Sequence, residues 1–126
     1  MNWLEQVKWN NDGLVPVITQ EFASLQVLTL AWMNRDSLLL TMQTGYAVYW
    51  SRSRQKLWHK GEESGNQQKI KSIRLDCDND AVLLSVVQLG GIACHTGRHH
   101  CFYQLLEDNQ WITTEPVLKN PKEIYS

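Results

Sequence analysis

The chain has 126 residues, 43% of them hydrophobic and 20% charged, values that fit one globular domain able to bury a core without disulfide staples. Its formal net charge of −1 gives no global attraction to nucleic acid or to an acidic membrane. No apolar run reaches the ~20 residues needed to span a bilayer, and residues 1–10 lack the apolar segment of a secretory signal, so a cytoplasmic protein is expected.

Pro16 lies in an early extended stretch, and Val27-Leu28-Thr29-Leu30-Ala31-Trp32-Met33 reads as a buried strand. Asn34 then fits the N-cap of a helix over 35–43, with Leu38, Leu39 and Met42 on one side and Gly45 as the C′ stop. Residues 46–50 are aromatic and β-branched and predict a strand. Residues 52–68 hold Gly61 and Gly65 among polar side chains and predict a long, partly ordered loop, a feature that is often functional. Residues 69–77 alternate, with Ile73, Leu75 and Cys77 on one side and Arg74 and Asp76 on the other. Residues 81–87 are nearly all apolar, which predicts a central strand buried on both faces. After a loop at Leu89-Gly90-Gly91, residues 101–106 and 111–114 read as a hairpin, and Pro116 and Pro121 mark a tail. The sum is a single α+β domain over 1–126, mostly β, with one main helix on a compact mixed or antiparallel sheet or pseudo-barrel.

Three segments concentrate chemistry. In Asp76-Cys77-Asp78-Asn79-Asp80, alternate residues of an extended segment share a side. Asp76, Asp78 and Asp80 then converge, and three close carboxylates repel unless a cation neutralises them. Oxygen-only ligation suits a hard ion such as magnesium; a solvated polar turn is the plainer alternative. An EF-hand is excluded, because the loop's sixth and twelfth positions are Ala81 and Val87 where Gly and Glu are required.

Residues 94–101 hold Cys94, Cys101, His95, His99 and His100, and 16 residues separate Cys77 from Cys94. Three cysteines without an export signal argue against a disulfide framework and leave buried filler, metal ligands or nucleophiles. Three thiolates would leave a fourth zinc position open for water, the layout of a catalytic site. At least one of His99 and His100 is expected on the surface.

The third segment, residues 49–66, mixes Trp50 and Trp58 with Arg52, Arg54 and Lys60, the hydroxyls of Ser51, Ser53 and Ser64, and His59. Seven Lys or Arg fall between Arg52 and Arg74 against Glu62 and Glu63. Guanidinium forks bind phosphate, glycines let backbone amides approach an anion, and indoles stack on bases. A solvated strand face with at least one core tryptophan is the alternative.

Together these segments resemble the phosphoribosyl-AMP cyclohydrolase family over residues 31–103. The landmarks are Ala31-Trp32-Met33-Asn34, Tyr49-Trp50-Ser51-Arg52-Ser53-Arg54, Leu57-Trp58-His59-Lys60-Gly61, Ser64-Gly65-Asn66, the acidic segment, and Ala93-Cys94-His95-Thr96-Gly97-Arg98 with Cys101-Phe102-Tyr103. Asn79 stands where many relatives have Gly, a change that a left-handed turn tolerates, and Ile92 replaces a common Pro. The resemblance implies an intertwined homodimer that hydrolyses the N1–C6 bond of 1-(5-phosphoribosyl)-AMP in histidine biosynthesis. It implies zinc at Cys77 of one subunit with Cys94 and Cys101 of the other, and magnesium at Asp76, Asp78 and Asp80. His95, with His59 as the weaker candidate, is expected to act as general base. Trp50, Ser51, Arg52, Ser53, Arg54, Lys60 and Ser64 are expected to bind substrate. A pyrophosphohydrolase domain fused in some relatives is expected to reside elsewhere.

Two rivals are weaker. A zinc-dependent purine nucleotide deaminase carries H-x-E and P-C-x-x-C signatures that are absent here. A zinc-stabilised RNA-binding module fits poorly with the net charge of −1.

Overall fold

The structure is a computed structural model that describes residues 2–62 and 64–124. Period-2 alternation builds its centre. Leu14–Glu21 (β1) buries Val15, Val17 and Thr19 on one face, and Val27–Asn34 (β2) pairs with it antiparallel. Asn34 ends β2 and caps Arg35–Thr44 (α1). Its side chain accepts the Ser37 N–H at 2.8 Å while the Ser37 hydroxyl accepts the Asn34 N–H at 2.9 Å. Gly45 closes the helix in the left-handed region at φ 78°, which glycine enters without a Cβ penalty. The buried side of α1 is Ser37, Leu38 and Thr41, whereas Met42 is exposed, contrary to its predicted place on the apolar side. The Thr41 hydroxyl explains the register: it accepts the Val48 N–H at 3.0 Å and ties the helix to the next strand.

Val48–Ser51 (β3) and Lys56–His59 (β4) form an antiparallel hairpin. The expected continuous loop over 52–68 is therefore wrong in its first half. Gln55 at φ 52° turns the chain, and Trp58 packs against Tyr49 with ring centroids 5.7 Å apart. A half-buried indole against a buried phenol across a hairpin supplies the contact that the polar composition hid. Gln68–Leu75 (β5) and Val82–Gln88 (β6) follow, paired antiparallel with a bulge between Ile70 and Ser72.

The main sheet has the order β2-β1-β6-β5, with β1 and β6 parallel and the other pairs antiparallel. It is mixed, as expected, and it stays open, so the pseudo-barrel alternative does not hold. Leu28, Met33, Leu38, Tyr49, Val82, Leu84 and Val86 pack with β1 into one core under α1 and β3. The central strand β6 is buried on that face only. Val87 is 38% exposed, and Ile18 and Leu30, which pair across β1 and β2, are 39% and 52% exposed. Burial on both faces was expected from the apolar run; the second layer that would cover this face is not supplied by the described residues.

Gln104–Glu107 (β7) and Gln110–Thr113 (β8) form the predicted hairpin, turned by Asp108 and Asn109 with positive φ at both residues, the requirement of a type I′ turn. Every residue of β7 and β8 is exposed. A short helix, Pro121–Ile124 (α2), ends the described chain. Among the described residues no helix is long and apolar enough to cross a membrane.

Leu84 is fully buried. Leu84→Ala is expected to lower stability by about 2–5 kcal/mol, and Asn34→Ala by about 1 kcal/mol through loss of the cap. Urea unfolding of both variants measures the two effects.

Candidate active site

A cleft of about 370 Å³ opens beside β4, lined by Arg54, Trp58, Lys60, Gly61, Ser64 and His95 among others. The loop after β4 bends here at Gly61, φ 80°, where a Cβ would collide with the Gln67 backbone. Lys60 is 8% exposed, and its ammonium donates to the Ala93 carbonyl at 2.5 Å and lies 5.2 Å from the Trp58 ring. Burial pulls its pKa below the ordinary lysine range, against the upward pull of the Cys101 and Cys94 sulfurs. Lys60 thus joins the wall of the cleft to the thiol segment rather than standing free as a surface cation.

The thiol segment is a tight turn. The Cys94 N–H donates to Arg98 O at 3.1 Å, the Gly97 N–H donates to Cys94 O at 3.0 Å, and the Ala93 N–H donates to His99 O at 3.0 Å. Gly97 sits at φ 87°, where a Cβ would strike the Lys119 carbonyl, so the tail is strapped across this turn. Cys101 is anchored by its N–H to Leu28 O at 2.7 Å. Its thiol is within hydrogen-bonding reach of Cys94, and burial pushes its pKa above the ordinary range. Cys94 is 4% exposed, with Thr96 Oγ1 at 3.0 Å from its sulfur. Two adjacent sulfurs suit zinc as half of a tetrahedral set. Cys77 is exposed at the other end of β6, a seven-residue strand that spans about 20 Å. Cys77 also leaves the apolar side of β5, because that strand ends at Leu75.

His95 is exposed at the cleft. His99 and His100, of which at least one was expected on the surface, are both engaged. His99 Nδ1 is 2.8 Å from Gly91 O and its Nε2 is 3.4 Å from Glu21. His100 is buried, accepts the Phe102 N–H on Nδ1 at 3.1 Å and sets Nε2 3.1 Å from Glu115. That pattern places the proton of a neutral ring on Nε2.

Asp76, Asp78 and Asp80 bring their ligand oxygens within 4.8 Å of one another, the one such trio of His, Cys, Asp or Glu among the described residues. They converge through a turn rather than through strand alternation. Asn79 is left-handed at φ 64°, and Asp76 Oδ1 accepts the Asp80 N–H at 2.9 Å and the Ala81 N–H at 3.3 Å. The Asp80 N–H, with smaller help from a side-chain bond to Asp80 and the Ala81 N–H, lowers the Asp76 pKa. The side-chain bond to Asp76 raises that of Asp80. A hard-oxygen donor set of this kind fits magnesium.

The remaining expected residues lie apart from the cleft. Trp50 and Arg52 line a separate pocket of about 360 Å³ with Asp12 and Asn34, and Arg52 stacks 4.5 Å over Trp32. Ser51 accepts the Arg54 N–H at 3.2 Å and lies 3.4 Å from Ser53, so these hydroxyls close the β3–β4 turn. His59 is exposed at the end of β4 and does not line the cleft. Sequence reasoning missed Glu62 as a lining residue and Thr96 as the neighbour of the Cys94 sulfur; only the second had a signal, its place two residues after a cysteine in a glycine turn.

The family model described as phosphoribosyl-AMP cyclohydrolase matches residues 29–103. Proteins named phosphoribosyl-AMP cyclohydrolase resemble the chain along nearly its whole length. That of Nitrosospira multiformis is 67% identical, covering 98% of this chain and 95% of the relative. That of Methylococcus capsulatus is 64% identical over 98% and 96%, and that of Methylobacillus flagellatus 63% identical over 98% and 95%. With the thiol turn, the cleft and the acidic turn all falling inside the matched region, the chain belongs to the phosphoribosyl-AMP cyclohydrolase family.

Proposed function

We infer that the chain hydrolyses the N1–C6 bond of the adenine ring of 1-(5-phosphoribosyl)-AMP, opening the ring in a step of histidine biosynthesis. The observation that carries this reading is the cleft that joins His95 to Arg54, Lys60 and Ser64 beside the adjoining Cys94 and Cys101. N1 substitution makes C6 electrophilic. Water adds its oxygen to C6, the N1–C6 bond breaks, and C6 leaves the reaction as a carboxamide. His95 takes a proton from the attacking water and returns one to N1 as it departs, a task for which imidazole is matched near neutral pH. Arg54 and Ser64 bind substrate phosphate at the rim, and Lys60 adds positive charge to the same wall.

Cys94 and Cys101, with Cys77 of the partner subunit, would hold zinc, which would supply Lewis acidity toward water. A homodimer is supported by two features: the half-exposed apolar face with Ile18, Leu30 and Val87, and the exposed β7–β8 hairpin with Leu105, Leu106 and Trp111. Surfaces of this kind mark protein contacts. Asp76, Asp78 and Asp80 would hold magnesium, which would neutralise the acidic turn. Trp50 and Arg52 are assigned to substrate through the separate pocket they line, Ser51 and Ser53 through the adjoining turn, with His59 as an accessory proton carrier. The enzyme works as one domain in the cytoplasm.

The direct test is incubation with N1-phosphoribosyl-AMP, following the ultraviolet change of ring opening with and without a chelator. Release of ammonia without ring opening would instead favour a deaminase. His95→Ala is expected to lose about 10²–10⁴-fold in kcat while keeping its zinc; Cys94→Ala is expected to lose zinc and turnover together. Wild-type kcat in the first, or full activity without zinc in the second, would remove that group from the mechanism.

The acidic turn yields a second test, in metal-free protein at neutral pH. Asp76 has a folded pKa below its unfolded value, so its stabilisation is present above the ordinary carboxylate range and fades as pH falls through the folded value. Asp80 has a raised folded pKa, so its contribution is present at low pH and lost as pH rises. Asp76→Ala is expected to lower Tm and Asp80→Asn to raise it. Added magnesium is expected to raise the Tm of the wild type and to have little effect on Asp78→Asn.

A further inference from the structure

A buried file of polar side chains crosses the core, and none of the chemistry above uses it. Thr19 on β1, Tyr49 on β3, Gln68 on β5 and Gln88 on β6 are all buried. The Tyr49 hydroxyl donates to Gln68 Oε1 at 2.5 Å. It has one proton to give, so the Thr19 hydroxyl, 2.7 Å away, is the donor to the Tyr49 oxygen. Burial raises the Tyr49 pKa far above the ordinary phenol range, which keeps that proton in place. Gln68 Nε2 donates to Gln88 Oε1 at 2.8 Å. Every donor points the same way, and the file ends at Gln88 Nε2, which faces the carbonyls of Asn66 at 2.9 Å, Leu89 at 3.2 Å and Ile92 at 3.3 Å.

The core does not require these amides. Leucine at 68 and 88 would fill similar volume with no amide to desolvate. What the amides add is aim. The Asn66 carbonyl belongs to the segment that brings Ser64 to the cleft, and Ile92 lies two residues before Cys94 and three before His95. The two segments also touch directly, since a Cβ on Gly90 would collide with Asn66 Oδ1.

We propose that Gln88 is a positioning residue: its amide, oriented by Thr19, Tyr49 and Gln68, locks the segment that carries Ser64 to the segment that carries Cys94 and His95 and so sets the width of the cleft. The proposal rests on the reading of this cleft as the site of ring opening. Because reacting groups tolerate little misplacement, slack between the two segments lowers turnover of a fold that remains intact.

The test compares Gln88→Glu, Gln88→Leu and Tyr49→Phe with the wild type, well below each Tm. At alkaline pH the introduced carboxylate has no proton to donate to the carbonyls, and kcat is expected to fall about 10- to 100-fold, with KM changing less. Burial raises the pKa of that carboxyl, so on acidification it regains an O–H donor and its kcat, as a ratio to wild type, recovers. Gln88→Leu is expected to stay low at every pH, and Tyr49→Phe to fall by a smaller factor. A second readout needs no substrate: in chelator-treated protein, labelling of the buried Cys94 thiol is expected to be about tenfold faster in Gln88→Leu, as its segment loosens. Wild-type kcat and Cys94 labelling in the variants, even with lowered Tm, would reduce the file to a core-packing device and overturn the proposal. So would a Gln88→Glu deficit that pH does not relieve. If the wild type opens no ring, the catalytic reading fails, while the labelling rates still decide whether Gln88 holds the segment.

Discussion

The parallel pairing of β1 with β6 organises the molecule. β6 hydrogen-bonds to β1 on one edge and β5 on the other, so both of its edges are paired. The acidic turn precedes its first residue and the thiol segment follows its last. The seven residues of β6 stand between the acidic turn and the segment that leads to Cys94. Among the described residues Cys77 does not join Cys94 and Cys101 in a metal-sized cluster, so the zinc site proposed above takes its third sulfur from a second copy.

The cleft is built at the other boundary of the core, where the β3–β4 hairpin meets the segments after β4 and β6. Its polar groups are held by backbone carbonyls more than by one another. Lys60 is fixed by Ala93, Cys101 by Leu28, and Gln88 by Asn66, Leu89 and Ile92. Such bonds place loops without consuming the side chains that line the cleft, leaving His95 exposed. The tail adds a strap: Arg98 Nε donates to Glu115 O at 2.9 Å, while Leu118 and Lys119 donate to Gly97 O.

Where sequence reasoning failed, it failed at features set by distant neighbours. β4 was hidden because its stability comes from Trp58 on Tyr49 across a hairpin, not from its own polar composition. Met42 was placed inward by helical spacing, but Thr41 is the residue bonded to β3. The apolar run in β6 signalled a central strand correctly. It did not signal that one face lacks a covering layer, because the outward Val87 belongs to the same apolar pattern as the inward Val86.

The sequence by itself determined the family, a β-rich architecture with one capped helix, the hairpin at Asp108-Asn109 and the convergence of three aspartates. The capped helix, the hairpin and the aspartate cluster are encoded by residues close together in the chain: a cap and its N3 partner, a turn that needs positive φ, a cluster of like charges. Tertiary structure alone decided that Lys60 would be buried against Ala93, that Trp50 and Arg52 would line a pocket away from His95, and that Cys77 would stand apart from the other thiols. Those outcomes depend on which strands pair and in what register, and register is fixed by long-range packing that no local spacing records.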